Sequence, residues 1–396
     1  MRILFVAMSN SIHTARWISQ IQDQGWEIYL FPVQRQDPHA LLRNITVYGG
    51  NPWRANYLHK SVHYKRWTSV FFYLDGLEGR LKNQITIKNK EISLAKVIRE
   101  VKPDIIHSLE FQHAGYLTLQ VRENIGEKFP TWIATNWGSD IYLFRNFSEH
   151  ENLIREILQK CDYYSCECQR DVQIARSLGL KAPVLPVLPN AGGIDIEHAL
   201  ALRQTGPVSA RKYIIIKGYQ GWAGRAQVAF QALRYCRDVL QGYSIAVYIS
   251  NEDTQITAQL FSSETGITVE IIPYSSHEEI LKQFGKSRLY IGLSISDGIS
   301  TSLLEAMVMG AFPVQSCTAC ANEWIEDGKS GFIVPAEEPR EIATAIRAAL
   351  LDDTLVDKAA EINLDTVRQR LDYSKIQTQV VEIYKKVFAS IKKKTG

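Results

Sequence analysis

Cysteine is scarce in this sequence: six among 396 residues, at 161, 166, 168, 236, 317 and 320. So few thiols, so clustered, cannot frame a disulfide scaffold, and reduced cysteines in a cytoplasmic protein are the expectation. No uninterrupted apolar run reaches the roughly 18 residues that a membrane-spanning helix needs. A surplus of one charge is missing as well. The 45 Lys+Arg against 42 Asp+Glu leave a net charge of +3, too balanced for a nucleic-acid coat, so nucleic acid is not an expected partner and any basic patch is local. No tandem repeat with a period of about 20–50 residues is visible. The opening MRILFVAMSNSIHTARW places polar residues and Arg16 directly after a short apolar run. That reads as a strand and loop, not as a secretory leader.

What is present points to two domains. A length of 396 is too great for one ordinary domain, and 45% hydrophobic with 22% charged residues supports a large core. Short β-branched runs alternate with helical patterns. Arg2–Ala7, Glu27–Pro32, Asp104–Ser108 and Thr131–Thr135 read as strands, and Thr14–Gln24 as a helix between the first two. Such alternation implies a parallel sheet covered on both faces. The series pauses at Lys181–Ile196, where three prolines and two glycines fall in 16 residues, the strongest candidate boundary. A second series follows, with strands at Tyr213–Lys217, Ser244–Ser250, Thr268–Ile272 and Leu289–Ile295. Helices are predicted at Ala226–Arg237, Glu278–Phe284 and Thr301–Met309. In Tyr373–Lys394, the residues Ile376, Val380, Val381, Ile383, Tyr384 and Val387 keep helical spacing. The reading is therefore α/β, with two Rossmann-like doubly wound domains (1–190 and 191–372) facing a cleft. A final helix (373–396) crosses back to the first domain.

The stretch LYIGLSISDGISTSLLEAMVMG, 289–310, carries the most chemistry. A buried strand runs into Asp297-Gly298-Ile299, and Ser300 or Thr301 then caps a helix. First-turn amides of a helix lack intrahelical partners and carry partial positive charge, so they suit a phosphate. Glu305 stands eight residues after Asp297. Two carboxylates beside a phosphate-binding turn suit a ligand with hydroxyls flanking a diphosphate. An Asp in a turn and a surface Glu on a helix is the plain alternative. A second segment, Lys217-Gly218-Tyr219-Gln220-Gly221-Trp222-Ala223-Gly224-Arg225, is a glycine-rich strand-to-helix loop with a cation at each end. Its G-x-x-G-x-x-G spacing is not the G-x-G-x-x-G of dinucleotide binding.

These motifs, in this order, resemble the retaining family 4 glycosyltransferases of the GT-B fold. Asp297-x7-Glu305 with Ala306-Met307 and Gly310-Ala-Phe-Pro313-Val resembles the family's acid-x7-acid signature. Lys102-Pro-Asp-Ile-Ile-His107, Gly138-Ser-Asp140, Leu188-Pro-Asn190-Ala-Gly-Gly-Ile-Asp195 and Glu326-Asp-Gly-Lys-Ser-Gly331-Phe resemble further motifs of that family. The resemblance implies that the second domain binds a nucleotide sugar. Lys217, Arg225 and the amides around Ser302 and Leu303 grip the diphosphate. Glu305 accepts from the ribose, and Asp297 with the Gly298 and Ile299 amides holds the sugar hydroxyls. Gly218, Ser300 and Asn251 belong to the same nucleotide site.

In the first domain, two places depart from the family pattern. The loop after the first strand, Asn10–Trp17, has no glycine, and His13 there is either a cleft residue or an ordinary loop histidine. Trp137 stands where the family commonly has a histidine. Asn136, Asp140, His107 or His113 could supply the lost polar contact, with Asp140 and His113 preferred. No spaced acidic pair of the D-x-D type stands out, so cations and helix dipole replace a metal and no cofactor is expected. Cys317-x-x-Cys320 lacks a second pair and reads as two buried small residues. The stretch 51–73 holds Arg54, Lys60, Lys65 and Arg66, seven aromatic residues and no acid. It suits either peripheral contact with an anionic membrane, at the inner face of the plasma membrane, or a partly buried helical hairpin.

The implied function is transfer of a hexose, with retention, from a UDP-sugar donor (UDP-glucose leading) to a glycan or lipid-linked acceptor in exopolysaccharide assembly. A sugar-nucleotide 2-epimerase of the same fold and a non-catalytic sugar-nucleotide-binding protein are the alternatives.

Overall fold

The computed structural model describes the chain except residues 35, 50–61, 66–79, 127–128 and 396, and only the backbone of 80–87 and 394–395. It divides into two units, Met1–Gly192 with Ile376–Gly396, and Gly193–Lys375.

The first unit is built on a parallel sheet of order β4-β3-β2-β1-β5-β6-β7. Its strands are β1 Arg2–Ala7, β2 Glu27–Pro32, β3 Ile45–Tyr48, β4 Val62–Lys65, β5 Ile105–Leu109, β6 Thr131–Thr135 and β7 Tyr163–Ser165. Alternation in β1 shows why both faces are covered. Leu4 and Val6 enter one apolar cluster, while Ile3, Phe5 and Ala7 enter the other. A strand buried on both sides reads as a continuous apolar run, as RILFVA does. The final helix, Tyr373–Thr395, supplies Ile376, Val380, Val381, Ile383, Tyr384 and Val387 to the second of these clusters, the same six residues that keep helical spacing in the sequence.

A buried polar chain fastens that helix. Trp17 Nε1 donates to Tyr384 Oη at 2.9 Å, and His107 Nδ1 lies 2.6 Å from the same oxygen. His107 Nε2 lies 2.6 Å from Thr135 Oγ1. Since Tyr384 Oη accepts from Trp17, its proton goes to His107 Nδ1, and Nε2–H donates to Thr135. Burial lowers the pKa of the His107 ring to about 3, which keeps it neutral. His107 therefore belongs to the core and is not a ligand contact, a correction to its candidacy in place of the histidine absent at 137.

The second unit has a parallel sheet of order β10-β9-β8-β11-β12-β13, from β8 Tyr213–Lys217, β9 Ser244–Tyr248, β10 Val269–Ile271, β11 Leu289–Gly292, β12 Phe312–Ser316 and β13 Phe332–Val334. In both units the chain starts in the middle, builds outward to one edge, then returns to build the other. The reversal falls between β1 and β5 in the first unit, and between β8 and β11 in the second. Ligands of such sheets bind beyond the carboxyl ends of the strands at that reversal.

Several elements end earlier than the sequence pattern suggests. The first helix is Ile12–Ser19. Strand β11 stops at Gly292 because the next residues bond to the glycine-rich loop rather than to a neighbouring strand: Arg225 N donates to Leu293 O at 3.0 Å and Ile295 N to Ala223 O at 2.9 Å. Strand β9 stops at Tyr248, and Ile249 turns into the left-handed region at φ 53°. The stretch 51–73 lies outside the described residues except for Val62–Lys65. Those four form strand β4, which removes a helical hairpin at that point, and Lys65 Nζ pairs with Glu100 at 3.0 Å. No described helix is long and apolar enough to cross a membrane.

Candidate active site

In the second unit the reversal point gathers the sequence candidates. Lys217 ends β8, and Asp297 follows β11 after a four-residue link. Lys217 Nζ and Asp297 Oδ2 lie 3.7 Å apart, both side chains half-buried. Asp297 Oδ1 also accepts from Gly298 N at 2.9 Å. Gly218 is required by space. A Cβ there would stand 2.4 Å from Val247 Cγ1 and 2.9 Å from Tyr248 O, so only glycine lets β8 turn away against the end of β9.

Arg225 closes the loop on the other side. Its Nη1 donates to Gly221 O at 3.1 Å and Gly224 O at 2.9 Å, and its Nε to the exposed carboxylate of Glu337 at 2.7 Å. Both expected diphosphate cations are thus present, and each is balanced by an acid: Lys217 by Asp297, Arg225 by Glu337.

The helix Thr301–Met309 starts at the same place. Ser300 occupies its N-cap position without a side-chain bond to the helix amides, and Gly310 ends it at φ 78°. Leu303 N donates to Ser300 O at 3.0 Å. That corrects the expectation that the Leu303 amide faces a ligand; the helix tip offers the amides of 301 and 302 instead. Tyr248 Oη donates to Ser302 Oγ at 2.6 Å. Burial first, then the charges of Tyr290 and Glu305, hold the Tyr248 phenol well above its ordinary pKa, so it stays a neutral donor.

Every residue of this helix from Ser302 to Met309 is buried, and Glu305 is among them at 5% exposure. The structure thus rejects the surface-Glu alternative. A buried carboxylate demands a partner, and His277 provides one: its Nε2 lies 2.7 Å from Glu305 Oε1. His277 opens the helix His277–Lys286, whose N-cap Ser276 accepts from Glu279 N. Sequence reasoning missed His277. The S-x-x-E box at Ser276–Glu279 marks the helix start, yet nothing local ties His277 to a glutamate 28 positions on.

Asn251 is not poised for a ligand. Its Oδ1 accepts from Thr254 N at 3.2 Å and from Thr254 Oγ1 at 2.9 Å, and its Nδ2 donates to Gln220 O at 3.1 Å. It caps the helix Glu252–Thr265 and anchors the glycine-rich loop, a correction to its place among nucleotide contacts.

In the first unit, the reversal point lies between the loops after β1 and β5. Glu110, buried and at φ 75°, follows β5. Its carboxylate accepts from His113 N at 2.8 Å and Ala114 N at 2.6 Å. Left-handed backbone at a buried acid and at the β-branched Ile249 is strain, which structures retain mainly where loops serve a site. Asp140 Oδ2 accepts from Phe111 N at 2.8 Å and Trp137 N at 2.7 Å. Burial, then the neighbouring Glu110 charge, raises its pKa. Asp140 therefore clamps the β5 and β6 loops together, which corrects the expectation of a sugar contact there.

His113 Nδ1 sits 3.3 Å from Glu110, with about half its side chain exposed. The hydrogen bond to Glu110 raises its pKa against the opposing effect of burial. The His13 ring meets the Trp137 ring edge-on, with centroids 5.5 Å apart. Asn136 Nδ2 donates to the buried Asp171 at 2.9 Å, and Asn190 Nδ2 donates to Asn136 O at 3.2 Å; both asparagines are structural. Of the C-x-x-C pair, Cys320 is buried but Cys317 is exposed, so the reading as two buried residues fails for Cys317.

Two doubly wound parallel sheets, one carrying an acid-x7-acid helix tip and a cationic glycine-rich loop at its reversal point, define the GT-B class. Comparison with known proteins gives the family. The model described as glycosyl transferases group 1 matches residues 230–364, and glycosyl transferase 4-like matches 79–166, together more than half of the chain. The protein belongs to these GT-B glycosyltransferase families. A D-inositol 3-phosphate glycosyltransferase of Nocardioides sp. is 25% identical over 128 residues, 32% of this chain and only 28% of that relative. Among solved structures, sucrose-phosphate synthase from Thermosynechococcus elongatus superposes with a TM-score of 0.70 at 14% identity, over 98% of this chain and 100% of that one. HepE from Anabaena, solved with UDP-glucose, gives 0.67 at 15%, again over 98% and 100%. At those identities the likeness establishes the fold.

Proposed function

We propose that the protein is a retaining, metal-independent glycosyltransferase that moves a hexose, glucose first, from a UDP-sugar to a glycan or lipid-linked acceptor in exopolysaccharide assembly. The observation that carries this reading is the convergence of Lys217, Asp297, the tip of helix Thr301–Met309 and buried Glu305 at the reversal point of one sheet. The crystal complexes of HepE with UDP-glucose and with UDP support the choice of donor.

In this mechanism the diphosphate replaces carboxylates as partner of the two cations. Arg225 exchanges the exposed Glu337 for phosphate oxygens, a cheap exchange because a surface ion pair is worth roughly 0–1 kcal/mol. Lys217 turns from Asp297 to the diphosphate, and Asp297, with the Gly298 and Ile299 amides, takes the sugar hydroxyls. Glu305 accepts from the ribose. Charge that develops on the leaving diphosphate is neutralised by Lys217, Arg225 and the helix dipole, which do the work that a divalent ion does elsewhere. The acceptor oxygen bonds to the anomeric carbon on the face the diphosphate leaves. The carbon–phosphate-oxygen bond breaks, and the acceptor proton passes to the departing phosphate. Loops of the first unit around His13, His113 and Trp137 recognise the acceptor, and 51–73 adds peripheral membrane contact.

Incubation with UDP-glucose, UDP-N-acetylglucosamine and GDP-mannose, with and without a glycan or lipid-linked acceptor and with and without chelator, tests this. Release of UDP, undiminished by chelator, with the product α-linked by NMR, is expected. A 2-epimer formed without acceptor, binding without turnover, or abolition by chelator refutes it.

A further inference from the structure

We propose that His277 is a positioning residue for Glu305: the imidazole fixes the carboxylate that receives the ribose hydroxyls, and so sets the preference for a ribonucleotide donor. This rests on the ribose assignment made for Glu305 above. The geometry is specific. Glu305 is the one ionisable side chain in a helix whose residues 302–309 are all buried. A carboxylate accepts hydrogen bonds, so the 2.7 Å contact makes His277 Nε2 the donor and fixes the ring tautomer.

The backbone of His277 is itself held. It is the first residue of helix His277–Lys286, behind Ser276, whose hydroxyl accepts from Glu279 N at 3.2 Å. On the sheet face that this helix covers, the phenols of Tyr248 and Tyr290 lie close enough for the Glu305 charge to act on both. Tyr248 is occupied with Ser302 and Tyr290 with Gln315 Oε1 at 3.3 Å. The imidazole is held against Glu305 Oε1 and orients it. It approaches from the open side, where it remains nearly half exposed. With Oε1 held, the carboxylate plane is set before the nucleotide arrives, and the ordering cost of binding is already met in folding.

The test compares UDP with 2′,3′-dideoxy-UDP by calorimetry on the full chain, using H277A, H277Q and E305A after their melting curves are checked against the wild type. The expected result is a loss of about tenfold in UDP affinity for H277A, the size of one charge-assisted hydrogen bond, with dideoxy-UDP affinity unchanged. H277Q, whose amide nitrogen can occupy the Nε2 position, restores most of the preference. E305A removes the preference altogether.

Equal weakening of both ligands by H277A marks a merely structural role and overturns the proposal, as does an H277Q no better than H277A. An E305A that loses the preference while H277A keeps it overturns the positioning role and leaves the ribose assignment standing. An E305A that keeps the preference overturns both.

Discussion

Acid should loosen the first unit through one residue. His107 is fully buried, with its ring pKa lowered to about 3 by burial, whereas in the unfolded chain it lies near 6.5. The folded pKa is the lower of the two, so the unfolded chain takes a proton that the folded chain refuses. The associated stability is present above about pH 6.5 and is lost as the pH falls toward 3, at up to about 1.4 kcal/mol per unit. From pH 6.5 to 4.5 the loss is about 2 kcal/mol. Geometry says why no local adjustment relieves it. A proton on His107 Nδ1 would face the hydroxyl proton of Tyr384, whose oxygen already accepts from Trp17. The assay is urea unfolding at both pH values, wild type against H107Q, following tryptophan fluorescence. Asp140 and Asp171, whose pKa values burial raises, act in the opposite sense but are common to both proteins. The wild type should lose about 2 kcal/mol more than H107Q. Equal losses would refute the neutral buried imidazole and the direction assigned to the chain Trp17–Tyr384–His107–Thr135.

The other predictions concern the second unit. K217M should lower turnover by about 10²–10³-fold and K217M/R225Q further, the scale of removing a donor aimed at developing negative charge; initial rates within threefold of wild type would sink the diphosphate assignment. D297N should lower turnover too, yet leave UDP affinity unchanged or raise it a few-fold, because Asp297 competes for Lys217; a weakened UDP isotherm would contradict this. Removing the exposed competitor with E337Q should raise UDP affinity at low salt by about twofold to fivefold, an effect that added salt erases. I249N places at φ 53° a residue that tolerates left-handed backbone, and should raise stability by about 1 kcal/mol; a lower melting temperature would show that Ile249 is held there by packing rather than strained.

Much of the fold is legible because both sheets are buried on both faces. Runs such as RILFVA and YIIIK can hardly be anything but interior strands, and the six apolar positions of the last helix all reach the core. The site is legible where local geometry creates it. A strand, a glycine turn and a helix start put Asp297 and the helix tip together, and Lys217 and Arg225 flank one loop. It is not legible where distant segments decide the outcome. His277 and Glu337 enter only once strands far apart in sequence lie side by side. Asp140, Asn251 and Leu303 look available in the sequence, but the structure engages them with backbone amides, a threonine and a carbonyl, because buried loops need those partners. Spacing names the polar residues of a site without saying which of them the backbone will claim.

The last helix completes the first unit from the far end of the chain. A ribosome emits the side of the sheet bearing Ile3, Phe5 and Ile105 long before Ile376–Val387 arrive to cover it. Residues 193–375 lie between, and at typical translation speeds their synthesis lasts roughly 10–40 s. During that interval the nascent first unit presents a sticky, half-finished sheet while the second unit can already mature. Chaperone demand should therefore fall on the amino-terminal half, and a bulky carboxyl-terminal fusion should harm yield before it harms chemistry.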